Sequence, residues 1–126
     1  MSSESVQPDI EPRTIRAATE IMTVIEEADA LFSVTTESGS EYTVDLREPA
    51  CTCPDFQYRD DVRECKHIRR ARIEVGQVDI KALTESLAER ATIVTKEADE
   101  LEEAAEKLNQ TAAKLDNAAE RLEEVQ

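Results

Sequence analysis

The chain has 126 residues, 29 acidic and 15 basic, for a formal charge of −14, and only 3% of it is aromatic, with no Trp. That length suits one domain with an appended element, and four aromatic residues (Phe32, Tyr42, Phe56, Tyr58) are too few to fill a sizeable enzyme core. No stretch reaches the roughly 18 apolar residues of a membrane span, MSSESVQPD does not read as a signal peptide, and three cysteines make no disulfide framework; the expectation is a non-enzymatic cytoplasmic protein with no membrane and no small-molecule substrate, its cysteines kept for metal or redox chemistry.

Residues 1–11 are Ser-rich and acidic without apolar periodicity, and are expected to be a disordered lead-in. Pro12 suits the first turn of a helix, and Ile15, Ala18, Met22 and Ile25 recur at helical spacing. Met22-Thr-Val-Ile25 is also β-branched, so the reading is a short helix over 13–21 followed by a strand. Leu31–Thr36 and Tyr42–Leu46 flank Glu37-Ser-Gly-Ser40, where Gly39 can supply a positive φ, which predicts a hairpin. Tyr42, Val44 and Leu46 would share its buried face. Two strands alone are marginal, so something else must hold this unit together. A short helix is expected from His67 to Val75, with Gly76 ending it.

All three cysteines (51, 53, 65) and the single histidine (67) fall within ACTCPDFQYRDDVRECKHI. The pattern is C-x-C, eleven residues, then C-x-H. Thiolates and imidazole are the donors of a tetrahedral zinc site. A C-x-C pair in extended or turn geometry can place two sulfurs on one ion. A C-x-H pair works when Cys65 precedes a helix and His67 lies in its first turn, because partners deep within a helix are three or four residues apart. Three competing readings are metal-free buried cysteines, a strained Cys51–Cys53 disulfide, and a catalytic zinc with an open position. The reading adopted is a structural zinc, one per chain, held by Cys51, Cys53, Cys65 and His67.

Val44-Asp-Leu46, then Cys51-Thr-Cys53-Pro-Asp-Phe56, then Cys65-Lys-His67-Ile68, resembles the SWIM zinc finger over roughly residues 31–75. The resemblance implies an α+β fold, a zinc-stabilised ββα module with those four ligands. It also implies a role in binding DNA or other proteins without catalysis. In length and acidity the chain is most similar to stand-alone SWIM proteins of halophilic archaea.

Between residues 59 and 72 lie Arg59, Arg63, Lys66, Arg69, Arg70 and Arg72 against three acids, a local +3 in an acidic chain. These cations could meet phosphate or an acidic partner surface. They could equally form a solvated helix face paired with the abundant carboxylates.

Residues 77–126 contain neither Gly nor Pro. Asp79 is the expected N-cap, and Val78 and Leu83 the expected hydrophobic staple. Large apolar residues recur every seven positions (Ile80, Leu87, Val94, Leu101, Leu108, Leu115, Leu122), with Ala four positions on (Ala91, Ala98, Ala105, Ala112, Ala119). This is a long a/d coiled-coil helix with Leu at d and Ala at a, which calls for a homo-oligomer. Scarce Lys and excess acid suit molar salt, where the Debye length is roughly 3 Å and acidic faces repel little. The organisation expected is lead-in 1–11, zinc module 12–76 and coiled-coil helix 77–126, an oligomeric adaptor for a protein partner or DNA.

Overall fold

The structure, a computed structural model, describes residues 10–125, so the lead-in expected over 1–11 lies almost wholly outside the described residues. The chain is α+β. Its elements are α1 (Pro12–Thr19), β1 (Met22–Ala28), β2 (Leu31–Thr36), β3 (Glu41–Asp45), β4 (Ala50–Cys51), α2 (Pro54–Tyr58), α3 (Lys66–Glu74) and α4 (Ile80–Val125). Two compact units divide the chain, one of residues Pro8–Leu87 and one containing Ala88–Gln126.

The first unit is built on an antiparallel sheet in the order β1-β2-β3-β4. The expected hairpin forms with Val34 opposite Tyr42 and Phe32 opposite Val44. Gly39 takes φ +94 in its turn, a region where a Cβ is penalised. Strict alternation along β2 and β3 sends Phe32, Val34 and Val44 inward, and Leu46 follows them just past the strand end. The sheet is larger than the two strands of a ββα unit. The β-branched segment at 22–25 becomes a full strand, pairing Val24 with Val34, and the chain after the hairpin returns as β4, with Cys51 opposite Val44. The turn between β1 and β2 has no Gly; Ala30 takes φ +60 there.

Helix α1 starts at Pro12, and the Glu11 side chain caps the Arg13 amide at 3.3 Å. Its one fully buried residue is Ala17, rather than the Ile15 and Ala18 that helical spacing singles out. A small residue there lets α1 lie close on α3. The α3 face that meets the sheet carries His67, Ile68 and Ala71, and Gly76 (φ +78) follows its end.

Arg70 ties these pieces together. Its guanidinium donates to the carbonyls of Ala17 (3.0 Å), Glu20 (2.7 Å) and Met22 (3.2 Å), and to Glu74 Oε2 (2.9 Å). Arg is suited to this because five donors in a planar fork can satisfy carbonyls that the end of α1 and start of β1 leave unpaired. Arg70→Met keeps the apolar stem and removes the donors. It should lower the unfolding free energy of the zinc-loaded protein by about 2–4 kcal/mol. Arg63→Ala, at an exposed position, should stay within about 0.5 kcal/mol in the same denaturant titration.

In α4, Asp79 Oδ1 accepts the Ala82 amide at 3.1 Å, as an N-cap does. Val78 and Leu83 line one small pocket together with Ile73, the placement of a staple. From Ala88 onward the helix is a single span without a break to its end at Val125. Leu101, Leu108, Leu115 and Leu122 are each between 66% and 71% exposed along it. No helix in the described residues is long and apolar enough to cross a membrane.

Candidate metal centre

The buried core of the first unit is mostly aliphatic, yet it includes three cysteines. Cys51, Cys53 and Cys65 are 1% exposed or less and His67 is 4% exposed. All three thiols are free. A free cysteine alone buries readily as a small apolar residue; three of them converging on a buried imidazole are what set this core apart.

Each ligand is delivered by local structure. Cys51 ends β4, and Cys53 stands two residues on, so the extended chain points both sulfurs to one side while Thr52 faces solvent. Thr52 is held on the sheet edge, where its amide donates to the Thr43 carbonyl (3.1 Å) and its hydroxyl accepts the Thr43 amide (3.0 Å). Pro54 then starts α2, with Cys53 as its N-cap. Cys65 is the N-cap of α3 and His67 lies in its first turn, the arrangement that lets C-x-H converge.

The four donor atoms lie within 4.8 Å of one another. His67 Nδ1 is 3.8 Å from Cys51 Sγ and 3.7 Å from Cys65 Sγ. Donors about 2.3 Å (sulfur) and 2.0 Å (nitrogen) from a tetrahedral zinc would stand roughly 3.5–3.8 Å apart, so the cluster is the size of a zinc shell. Thiolate and imidazole are also the donors zinc prefers, and four of them leave no open position. These four residues are candidate ligands for one zinc.

Around the donors lies a ring of groups that the sequence did not reveal. The backbone amides of Cys53, Phe56 and Ile68 act on the sulfurs of Cys51, Cys53 and Cys65 respectively and favour their charged forms, without a side-chain cap hydrogen bond at Cys53 or Cys65. Tyr42 packs on the His67 ring, centroids 4.6 Å apart, and sets its plane. His67 Nε2 is buried and finds no partner among the described residues, so the ring's bonding is directed through Nδ1 toward the sulfurs. Gln57 anchors the Cys51 carbonyl at 2.8 Å.

The thiols influence one another strongly. A hydrogen bond from Cys51 lowers the Cys65 pKa to about 4, with help from His67. That same bond, then burial, pushes the Cys51 thiol up, and burial first pushes Cys53 up. Without a cation the pocket holds one thiolate and two thiols; three thiolates at this spacing need the positive charge of a metal.

The cations between 59 and 72 turn mostly inward. Besides Arg70, Arg69 donates to Glu64 O, Thr14 Oγ1 and Glu11 Oε2, each at 2.9 Å. Arg72 grips Glu64 with two bonds (3.0 and 2.8 Å), and Lys66 meets Glu20 at 2.6 Å. Arg59 pairs with Asp55 at 3.3 Å, and Asp55 also receives Arg13 at 2.8 and 3.2 Å. The Arg13 guanidinium holds the Asp55 carboxyl below its ordinary range. Arg63 alone of the six is exposed with no ion pair among the described residues. These internal bonds satisfy the carbonyls and carboxylates of α1 and of the loop before α3. Of the two loop aromatics, Phe56 packs against the core, whereas Tyr58 is 83% exposed.

No curated protein and no solved structure matches the chain. Residues 42–71, from within β3 into α3 and including all four converging donors, match the family model of the SWIM zinc finger.

Proposed function

We propose that this chain is a non-enzymatic zinc-binding adaptor. Its module over 12–76 is held by one zinc on Cys51, Cys53, Cys65 and His67, and its helix over 77–126 joins copies together. The module is presented to another protein. A closed four-donor shell supports a structural rather than catalytic metal, since a catalytic zinc keeps a position for water or substrate. A SWIM zinc finger is a binding module, which agrees with a role in interaction.

One observation favours a protein partner over DNA. Five of the six cations at 59–72 already have carboxylate partners, four within the same module and one, Glu11, directly before it. Releasing them for phosphates would break those pairs and loosen α1 from α3. The chain's charge of −14 further opposes a polyanion in dilute salt. The second reading is a DNA-binding regulator using the Arg-rich helix α3; because the cations on α3 itself are paired internally, it would rest on Arg59 and Arg63 in the loop before that helix.

Fluorescence anisotropy with zinc-loaded full-length protein and mixed-sequence duplex DNA separates the two. Over about 0.1 to 2 M KCl the expected result is no saturable binding below about 10 µM, a value inside the range of nonspecific affinities. Tighter binding that is lost in Arg59→Ala/Arg63→Ala would replace the protein reading with the DNA reading. Neither variant touches the donors that brace α1, so the loss could not be blamed on unfolding.

A further inference from the structure

Leu101, Leu108, Leu115 and Leu122, at d positions of α4, are about two-thirds exposed over a run with no turn that could fold it back on itself. Resting on the reading that this helix joins copies, we infer that its occupant is a single second copy of α4. The two run antiparallel and overlap along their whole length, with residue 103 at the two-fold axis.

Side-chain volume is the first reason. In a parallel pair, layers made of a from both chains alternate with layers made of d from both. Here that would stack two alanines, then two leucines, along the whole seam, leaving the alanine layers underfilled. Run antiparallel, every layer pairs an a residue with a d residue. Leu108 of one copy then meets Ala98 of the other, Leu101 meets Ala105, and Leu115 meets Ala91. One register satisfies all of them, because both repeats keep a strict spacing of seven. Each layer holds one large and one small side chain, and the seam has even width.

Charge complementarity points the same way and picks the same register. In the antiparallel pair, positions e face e and g face g across the seam. Lys81 of each copy then faces Glu123 of the other, giving two opposite-charge pairs. The g edge presents Ala104 to Ala104 with no like charges facing. The one adverse contact is Glu102 against its own symmetry mate. A parallel in-register pair would instead set Glu97 against Glu102 twice and gain no attractive pair, since position g there faces e five residues on. The alanines at a also allow close approach of the two backbones, which two helices can use and which leaves little for further copies to cover.

An antiparallel pair puts the helix N-termini, where the zinc modules attach, about 65–70 Å apart. Each copy would contribute one zinc module, joined to the paired helices at opposite N-termini. The dimer would therefore offer two modules at once, an arrangement that binds a bivalent or repeated target more tightly than either module alone.

Electron–electron dipolar spectroscopy tests orientation directly. Nitroxide labels are carried on a ketone side chain at Gln110 or Glu124, both on the outer face, so the zinc cysteines are untouched. Zinc-loaded full-length protein is measured in about 2 M KCl, alongside sedimentation equilibrium. The antiparallel register predicts a dimer with an intermolecular distance of about 60–65 Å for label 124 and about 25–30 Å for label 110. A dimer with the same distance, near 20 Å, at both positions would overturn the antiparallel assignment and leave oligomerisation intact. A tetramer would overturn the single-partner assignment alone. A monomer at 100 µM (on the order of the weakest useful association) would overturn both this inference and the oligomeric reading beneath it.

Discussion

Removing zinc should unfold the first unit and leave the far part of α4 helical. Three of the eleven residues in the main buried cluster are the candidate cysteine ligands, and Ile68, Val34 and Val44 pack around them. Without the ion those cysteines become buried thiols and a thiolate crowded together, and the remaining aliphatic core is small for a unit of this length. Zinc binding in small fingers is worth about 10–16 kcal/mol, more than such a core can supply. Hydrogen exchange read by mass spectrometry should therefore show residues 22–75 losing protection by orders of magnitude after chelation. Residues beyond 88 should keep theirs for as long as the helices remain paired. Protection that persists across 42–71 in protein shown to be zinc-free would end the case for a structural metal.

Proton release gives a second view of that transition. In the folded, metal-free pocket Cys65 is a thiolate above pH 4, while Cys51 and Cys53 are held protonated. Zinc entering such a pocket at neutral pH would displace two protons. An unfolded chain has thiols near their ordinary pKa of about 8.5, so folding onto zinc displaces close to three. The sign is the same in both cases: zinc affinity rises with pH, by about tenfold per unit for each proton displaced. Calorimetry in buffers of different ionisation enthalpy near pH 7 should give close to three. A value of two would mean that the pocket stays folded without its metal.

Much of the metal centre was readable because its constraints are local. Ligand identity follows from four soft donors in seventeen residues, and the first-turn position of His67 follows from the two-residue step after Cys65. The hairpin followed from alternation and Gly39, while its register (Phe32 opposite Val44, Val34 opposite Tyr42) came only with the structure. Other features depend on contacts distant in sequence, and single-chain patterning carries no signal for these. Arg70 reads as a surface cation on α3, and only the fold shows carbonyls from the end of α1 and start of β1 converging on it. The pairing of Arg13 with Asp55, forty-two positions apart, is equally invisible. Ala30 carries a left-handed turn that propensity assigns to Gly. The cation count left a phosphate-facing patch and a face paired with carboxylates equally open, and only the fold shows that five of the six cations pair with carboxylates. This is why truncating Arg69 and Arg70 would test stability before it tested binding.

The second large effect expected is at Leu108. In the antiparallel register this residue sits one layer from the dyad and occurs twice in the dimer, each time against Ala98. A buried Leu→Ala change costs about 2–5 kcal/mol, and the lower end applies to a two-stranded seam that keeps one edge in water. Two copies lost together should weaken dimerisation by about 10²–10³-fold at constant salt. Glu103→Ala, on the outer face at the dyad, should leave the dissociation constant within about threefold. Salt should move both proteins in the same direction. Residues 77–126 carry 13 acids and 6 bases, so two such helices repel, and screening at about 1–2 M KCl removes most of that opposition while leaving the apolar seam intact. Dimerisation should therefore tighten as KCl rises, the reverse of an interface held by salt bridges. Sedimentation equilibrium of wild type and Leu108→Ala across that range checks both. If Leu108→Ala dimerises like wild type, the leucine stripe is not the seam. If salt weakens the dimer, the Lys81–Glu123 pairs contribute more than the leucines between them.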